Sequence, residues 1–466
     1  MRCRGIGIVK QTCQLVVIGA GPAGMAAAQT AAEHGVDVTL FDDQAQPGGQ
    51  IYRNVDTSPL ADTSLLGKDY VFGQPLVQAF RHAELDYYAC TSVWYLDKAR
   101  EIGILKQGVS HKISAQRVIV ASGAQERPMP VPNWQLPGVM TAGAGQILLK
   151  SAAMVPDNGV VLAGNGPLML LLAWQYLRAG VKIHAILDTT SKGNLFRALR
   201  YLPRALAAGN DLWKGLRMML SIATARVPYY HYVSELRAEG DNQLQAVSFS
   251  AAGRHHRIDT DLLLLHQGVI PGLHSLQAAG CKIDWNEAQQ CWQTKVDAWG
   301  ETSLSGIFVA GDGAAIGGAV AASLSGQLTG LQVAHQLGFL DAGRRDHLAR
   351  PIIKARDRQL AIRPFLDALY RVADAGLIPP DDTVVCRCEE VSAREIRDVI
   401  ALGCIGPNQA KAFTRCGMGP CQGRFCAATV EQIFARQRGE SMADVGHTSA
   451  RPPLKPITLG QLAGTI

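Results

Sequence analysis

The chain has 466 residues, enough for two or three domains with substantial cores. Hydrophobic residues make up 47% and charged residues 18%, an ordinary globular composition that excludes a disordered or fibrous chain. A formal net charge of +6 from scattered basic residues implies no nucleic-acid partner, and no apolar stretch approaches the ~20 residues of a membrane span.

The N-terminal MRCRGIGIVKQTCQ is basic but has neither an apolar run nor a small-residue cleavage site, so no signal peptide is expected. Leu15 to Ile18 then reads as a short buried strand. The turn Gly19-Ala-Gly21-Pro22-Ala23-Gly24 follows, and after it an Ala-rich helix that ends at Gly35. Gly19 permits the tight turn, Gly21 lets a pyrophosphate approach the backbone, and Gly24 lets the helix pack on the strand. The phosphates would lie at the helix N-terminus. Val36 to Phe41 reads as the next strand, closed by Asp42, where an acid would bind a ribose 2′-hydroxyl and disfavour a 2′-phosphate. Strand, turn, helix, strand and acid in this order predict a dinucleotide site.

Three later segments resemble those of flavoproteins with two dinucleotide-binding domains. Pro47-Gly-Gly49-Gln50-Ile-Tyr52 resembles the stretch laid along the flavin, and Arg117-Val-Ile-Val-Ala-Ser-Gly123 resembles the strand-turn link between domains. Gly306-Ile-Phe-Val-Ala-Gly311-Asp312-Gly313 resembles the closing motif, whose Asp binds the ribityl chain. The resemblance implies FAD, and adds Asp43 and Val93 to the expected cofactor-binding residues.

Val160 to Met169 begins a second strand-turn-helix unit, Gly164-Asn-Gly166-Pro-Leu-Met169. In the resembling flavoproteins this is the NAD(P)H domain. Here Met169 replaces the third glycine, and Leu187 aligns with Asp42, with Asp188 adjacent. The expectation is a retained fold that binds NAD(P)H poorly or not at all. Thr189 to Pro228 carries apolar residues at helical spacing with Arg and Lys between them. It reads as a helical pair packed on the core or as a docking surface for a partner subunit; a membrane-surface role would want a denser basic face. Asp261 to Pro271 reads as a buried strand returning to the first domain, with His266 a core histidine rather than a base.

Helical sequence from about Arg344 to Ala375 leads to the linker Ile378-Pro-Pro-Asp-Asp. Six of the eleven cysteines follow: Cys386, Cys388, Cys404, Cys416, Cys421 and Cys426. The odd total and the clustering argue against a secreted disulfide framework and for a reducing, cytoplasmic setting. Ser392 to Glu395 is a capping-box pattern. Four thiolates suit zinc or a [2Fe–2S] cluster, but C-x-C with a distant C-x₄-C is an unusual zinc spacing. It resembles the bacterioferritin-associated-ferredoxin-like [2Fe–2S] domain. That resemblance implies Cys386, Cys388, Cys421 and Cys426 as ligands, with Cys416 the rival for a place and Cys404 left to packing. Arg415 and Arg424 could offset the cluster's charge or simply be solvated.

Through VIGAGPAGMAAA, PGGQIYR, SGAQERP, LAGNGPL, AGDGAAIGGA and KAFTRCGMGPCQGRFC, residues 12 to 435 resemble the flavin/iron–sulfur subunit of bacterial opine (octopine and nopaline) oxidases. The corresponding subunit of hydrogen cyanide synthase and the larger subunit of D-hydroxyproline or proline dehydrogenases are similar. Ser325-Gly-Gln327 departs from the Glu-Gly-Arg expected there. The implied fold class is α/β, a two-dinucleotide-binding-domain flavoprotein with a small cysteine module. The expected division is an FAD-binding domain (1–130 and 266–345), an inserted NAD(P)-like domain (131–265), a helical linker (346–380), the module (381–436) and a tail (437–466).

The resemblance implies a component that takes electrons from a D-amino-acid-oxidase-type flavoprotein partner, itself oxidising the C–N bond of an amino acid or opine. The electrons pass to a quinone or respiratory acceptor. FMN at an interface between subunits, a small third subunit and a cytoplasmic place extending to the inner-membrane periphery belong to the same expectation. No base, nucleophile or triad stands out, which suits electron transfer; a self-sufficient NAD(P)H-dependent reductase is the alternative.

Overall fold

The structure is a computed structural model that describes residues 2–3 and 10–464. Its first sheet has eight strands. Thr12–Ile18 lies between Val38–Phe41 and Val109–Val120, parallel to both. Leu15, Val16 and Val17 are fully buried, as the unbroken apolar run requires of a strand covered on both faces. Ile307–Val309 pairs in parallel with residues 118–120 of the long strand, although it lies nearly two hundred residues later in the chain. A second fold is therefore inserted into the first.

That inserted fold has its own five-stranded parallel sheet, in the order Tyr229–Tyr230, Ile183–Asp188, Val160–Asn165, Leu263–Gln267 and Val139–Thr141. An antiparallel ribbon of Ala124–Glu126 with Val269–Pro271 joins the two folds. The single strand expected over 261–271 is thus two strands. Gly268, at φ +80°, turns the chain between them, out of one sheet and into the ribbon.

Helix Ala319–Gln336 packs along helix Pro22–Glu33. A Cβ at Gly326 would meet the Ala23 carbonyl oxygen at 2.1 Å, so the middle residue of the Ser325-Gly-Gln327 triplet serves close helix packing. Ser325 Oγ also accepts the Gly311 N–H at 3.4 Å.

The C-terminal module has a separate core that includes Val385, Ile396, Ile433 and Phe434. Ser392 and Glu395 form the expected capping box, and the helix runs Ala393–Ala401. Residues set aside in the sequence as a tail return to the first fold: the Leu454 N–H reaches the Trp94 carbonyl at 2.8 Å, and Lys455 pairs with Asp43. Among the described residues no helix is long and apolar enough to cross a membrane.

Candidate cofactor sites

A cavity of about 600 Å³ opens at the carboxyl ends of the first sheet, within the range of small-molecule sites. Gly19, Gly21, Pro22 and Ala23 line it from the first turn, and Asp42 and Asp43 from the end of the second strand. Gly49, Gln50, Val93, Gly123 and Asp312 complete the expected set around it. Gly24 and Gly311 do not border the cavity; they act by packing. A Cβ at Gly24 would lie 1.8 Å from the Gly19 carbonyl oxygen, so any side chain there would drive the helix off the strand. Two helices begin at the cavity, at Pro22 and at Ala319, and both offer unpaired N–H groups to an anion.

The Asp42 carboxylate accepts the N–H groups of Ala20 and Gln44, which fixes its direction, while burial pushes its pKa up. Asp312 Oδ1 accepts the Gly317 and Gly318 N–H groups at 2.8 and 3.0 Å, holding the turn that starts the second helix. Lys150 supports the flavin-side loop from below. Its buried Nζ donates to the carbonyls of Gln50 and Ile51 at 3.3 and 3.0 Å and to Gln146 at 3.0 Å. Burial, with Arg53 nearby, pushes its pKa down to about 7. These features fit FAD: glycines where a Cβ would clash, a directed acid and two helix starts facing one cavity.

Sequence reasoning missed Ser122, Gln146 and His274, and it did not place Arg424 and Lys455 at this cavity. Arg424 and Lys455 carry no local signal, because only the folding back of the C-terminal module brings them here. Gln125 Nε2 donates to the Arg424 carbonyl at 2.9 Å, and His274 Nε2 lies 3.2 Å from the Gln422 carbonyl. Burial, reinforced by Arg424, pushes the His274 pKa down to about 4.

In the module, the thiol sulfurs of Cys386, Cys416 and Cys426 lie within 4.8 Å of one another, all buried. Hydrogen bonds from the other two thiols pull the Cys386 pKa down to about 2, while Cys416 and Cys426 are pushed up. Cys388 and Cys421 form an adjacent, more exposed thiol pair. The four expected ligands therefore sit in one neighbourhood with Cys416 among them. Cys404 turns away, its thiol 3.5 Å from the Gly406 carbonyl. Among the described residues the grouped donors are Cys386, Cys416 and Cys426, a set of sulfurs that suits a soft metal or an iron–sulfur cluster. Arg415 is paired with Glu389, and Arg424 donates to the Cys421 carbonyl at 3.1 Å.

The second nucleotide fold corrects one alignment. Val160 pairs with Ile183, but Val161 pairs with Ala185, so His184 is an extra residue in the strand. The shift places Leu187 level with Phe41 and Asp188, not Leu187, level with Asp42. Met169 is buried at the position where the first fold excludes a Cβ. The chain's own segment 369–376 lies across the carboxyl ends of this sheet. Asn165 donates to the Tyr370 carbonyl at 3.2 Å, and Gln267 to that of Gly376 at 2.9 Å. His266 is buried, with Nδ1 2.7 Å from Glu126, whose other oxygen accepts the Gly143 N–H.

Residues 13–338 match the pyridine nucleotide-disulphide oxidoreductase family, whose fold binds FAD, and residues 381–465 match the sarcosine oxidase A3 domain. An opine oxidase subunit from Rhizobium meliloti is 42% identical over 464 residues, covering 98% of this chain and 88% of the relative. The HcnB subunit of hydrogen cyanide synthase from Pseudomonas aeruginosa is 29% identical, covering 95% of this chain and 96% of the relative. The crystal structure of L-proline dehydrogenase from P. horikoshii superposes with a TM-score of 0.70 at 18% identity, over 97% of this chain and 79% of that one. The chain belongs to the pyridine nucleotide-disulphide oxidoreductases, an FAD-binding oxidoreductase family, and within them to the family of the R. meliloti opine oxidase protein.

Proposed function

We propose that this chain is the electron-transfer subunit of a hetero-oligomeric amine-oxidising complex, holding FAD in the 600 Å³ cavity and a [2Fe–2S] cluster in the cysteine module. One observation carries the reading: the turn between Cys421 and Cys426 borders the FAD cavity through Arg424. A thiolate site and a dinucleotide site that share a wall suit passage of electrons between two bound groups. Bound FAD takes up two electrons and can release them singly, and a [2Fe–2S] cluster carries one at a time.

The chain's own residues hold and orient these groups. Asp42 would hold the ribose, the two helix N-termini would take the pyrophosphate, Asp312 would hold the ribityl end, and Lys150 would support the loop beside the flavin. Asp43 and Val93 are assigned to the adenosine side. Cys386, Cys388, Cys421 and Cys426 are assigned as cluster ligands, with Cys416 the competitor for one place. Relatives named as subunits of opine oxidase, hydrogen cyanide synthase and sarcosine oxidase support an amine donor and a partner subunit; we assign that partner to the D-amino-acid-oxidase type of flavoprotein. A quinone or respiratory acceptor, FMN at the interface between subunits and a small third subunit complete the reading. A self-sufficient NAD(P)H reductase is disfavoured by Met169 and by the 369–376 segment lying over the second nucleotide turn.

The test is Cys386→Ser in the complex co-purified with its natural partner. Substrate should still reduce the partner's flavin, while turnover with an artificial quinone falls at least about tenfold. Full quinone turnover in an iron-free but assembled variant would refute the role, as would rapid, saturable reduction of this chain's flavin by NADH.

A further inference from the structure

Helix Ala142–Ala152 follows strand Val139–Thr141 and carries two polar residues that the molecule buries, Gln146 and Lys150, at 7% and 3% exposure. Four residues apart, they share one face of the helix. Lys150 Nζ donates to the carbonyls of Gln50 and Ile51 and to Gln146 Oε1, so three oxygens take the three donors of an ammonium, and none of those oxygens is charged. No carboxylate among the described residues pairs with Lys150, and the charged group that acts on it is another cation, Arg53. Arg53 is itself held by amide oxygens, those of Gln44 and Gln50, and its buried Nε has no partner. A buried cation without a counter-ion is costly until a negative charge comes to it.

The ammonium also fixes the Gln146 amide. The amide oxygen faces Lys150, and its nitrogen donates to Gln175 Oε1 at 3.0 Å. Gln175 is set in turn, because its own nitrogen donates to the Leu66 carbonyl at 2.8 Å. This chain of bonds leaves one N–H of Gln146 for a bound group. Gln146 borders the cofactor cavity, as do Gln50, Ile51 and Arg53. A flavin that has taken two electrons and one proton carries one negative charge more than the oxidised form. In a site of low dielectric an ammonium nearby stabilises that added charge.

We propose that Gln146 donates its remaining N–H to bound FAD, and that Lys150 is the positioning residue behind it, holding the amide and supplying positive charge that favours the reduced cofactor over the oxidised. The proposal rests on the reading of this cavity as the FAD site. Its test measures two quantities on the purified full chain: FAD affinity, by titrating the flavin-stripped protein, and the flavin midpoint potential, by dithionite titration followed at the flavin absorbance. Lys150→Met keeps the length and loses the charge. It should lower the potential by about 30 mV or more, a tenfold change for a two-electron couple. Gln146→Glu, which neutralises the ammonium and leaves the lysine in place, should shift the potential in the same direction, and it decides alone if Lys150→Met does not fold. Gln146→Leu should weaken FAD binding about fivefold, as loss of one hydrogen bond requires. A parental potential in Gln146→Glu, or in a folded Lys150→Met, overturns the charge role: the lysine then only holds the loop, or serves the pyrophosphate, whose charge does not change on reduction. Parental FAD affinity in Gln146→Leu overturns the donor role. A wild-type chain that binds no FAD sinks the FAD reading itself, and this proposal with it, before any variant is made.

Discussion

Asp42 is a half-buried acid and Glu431 a fully buried one, yet only the first was legible in the sequence. Asp42 follows a strand, a glycine turn, a helix and a second strand, and that order names its role before any contact is known. Its two part-buried hydrogen bonds, from the N–H groups of Ala20 and Gln44, are lost if the carboxylate is removed, at about 1 kcal/mol each. Asp42→Ala is therefore expected to weaken FAD binding about tenfold or more, read by titrating the flavin-stripped protein; unchanged affinity would contradict the assignment. Glu431 sits mid-helix with no motif around it, and its partners come from distant segments. Trp292 Nε1 donates to it at 2.9 Å and the Thr448 N–H at 2.7 Å. Burial pushes its pKa up to about 7. Between about 4.5, the unfolded value, and 7 the folded state keeps a proton that the unfolded chain has released. Stability should fall as pH rises through that window and then level off. Thermal unfolding across this range, with Glu431→Gln flattening the slope, checks the sign; an unchanged slope in the variant contradicts it.

At the scale of elements, the strand-turn-helix units were readable because their signals are local: an apolar run, glycines at fixed offsets, an acid at the strand end. Gly24 shows how strict the first unit is. Gly24→Val must displace backbone rather than a flexible side chain, and overpacking of this kind costs about 1–3 kcal/mol or more. The expected outcome is a lower melting temperature with loss of bound FAD; a variant that melts and binds FAD like the parent would sink the close-packing argument. The second unit was misread by one residue because a bulge at His184 is invisible to simple offset counting. The cover over its nucleotide turn was also illegible, since hydrogen bonds from Asn165 and Gln267 to residues near 370 join segments with no shared pattern.

Across the whole molecule, the C-terminal module is not an appendage. It reaches the first fold through Gln125 to Arg424, Leu454 to Trp94 and Lys455 to Asp43. These contacts place the cysteine turn at the wall of the cofactor cavity. The cysteine spacing indicated a thiolate site, but the shared wall depends on three-dimensional return of the chain and could not be read from it. The inserted topology, by contrast, was legible, because the Gly311-Asp312 motif declared that the first fold resumes late in the chain. The claim at stake is that both redox groups reside on this one polypeptide. The direct measurement is cofactor analysis of the anaerobically purified chain, with electron paramagnetic resonance after dithionite reduction. The account predicts one FAD with two irons and two labile sulfides per chain, and a reduced [2Fe–2S] signal that Cys386→Ser abolishes. A colourless protein, or one with zinc among the cysteines, would contradict it.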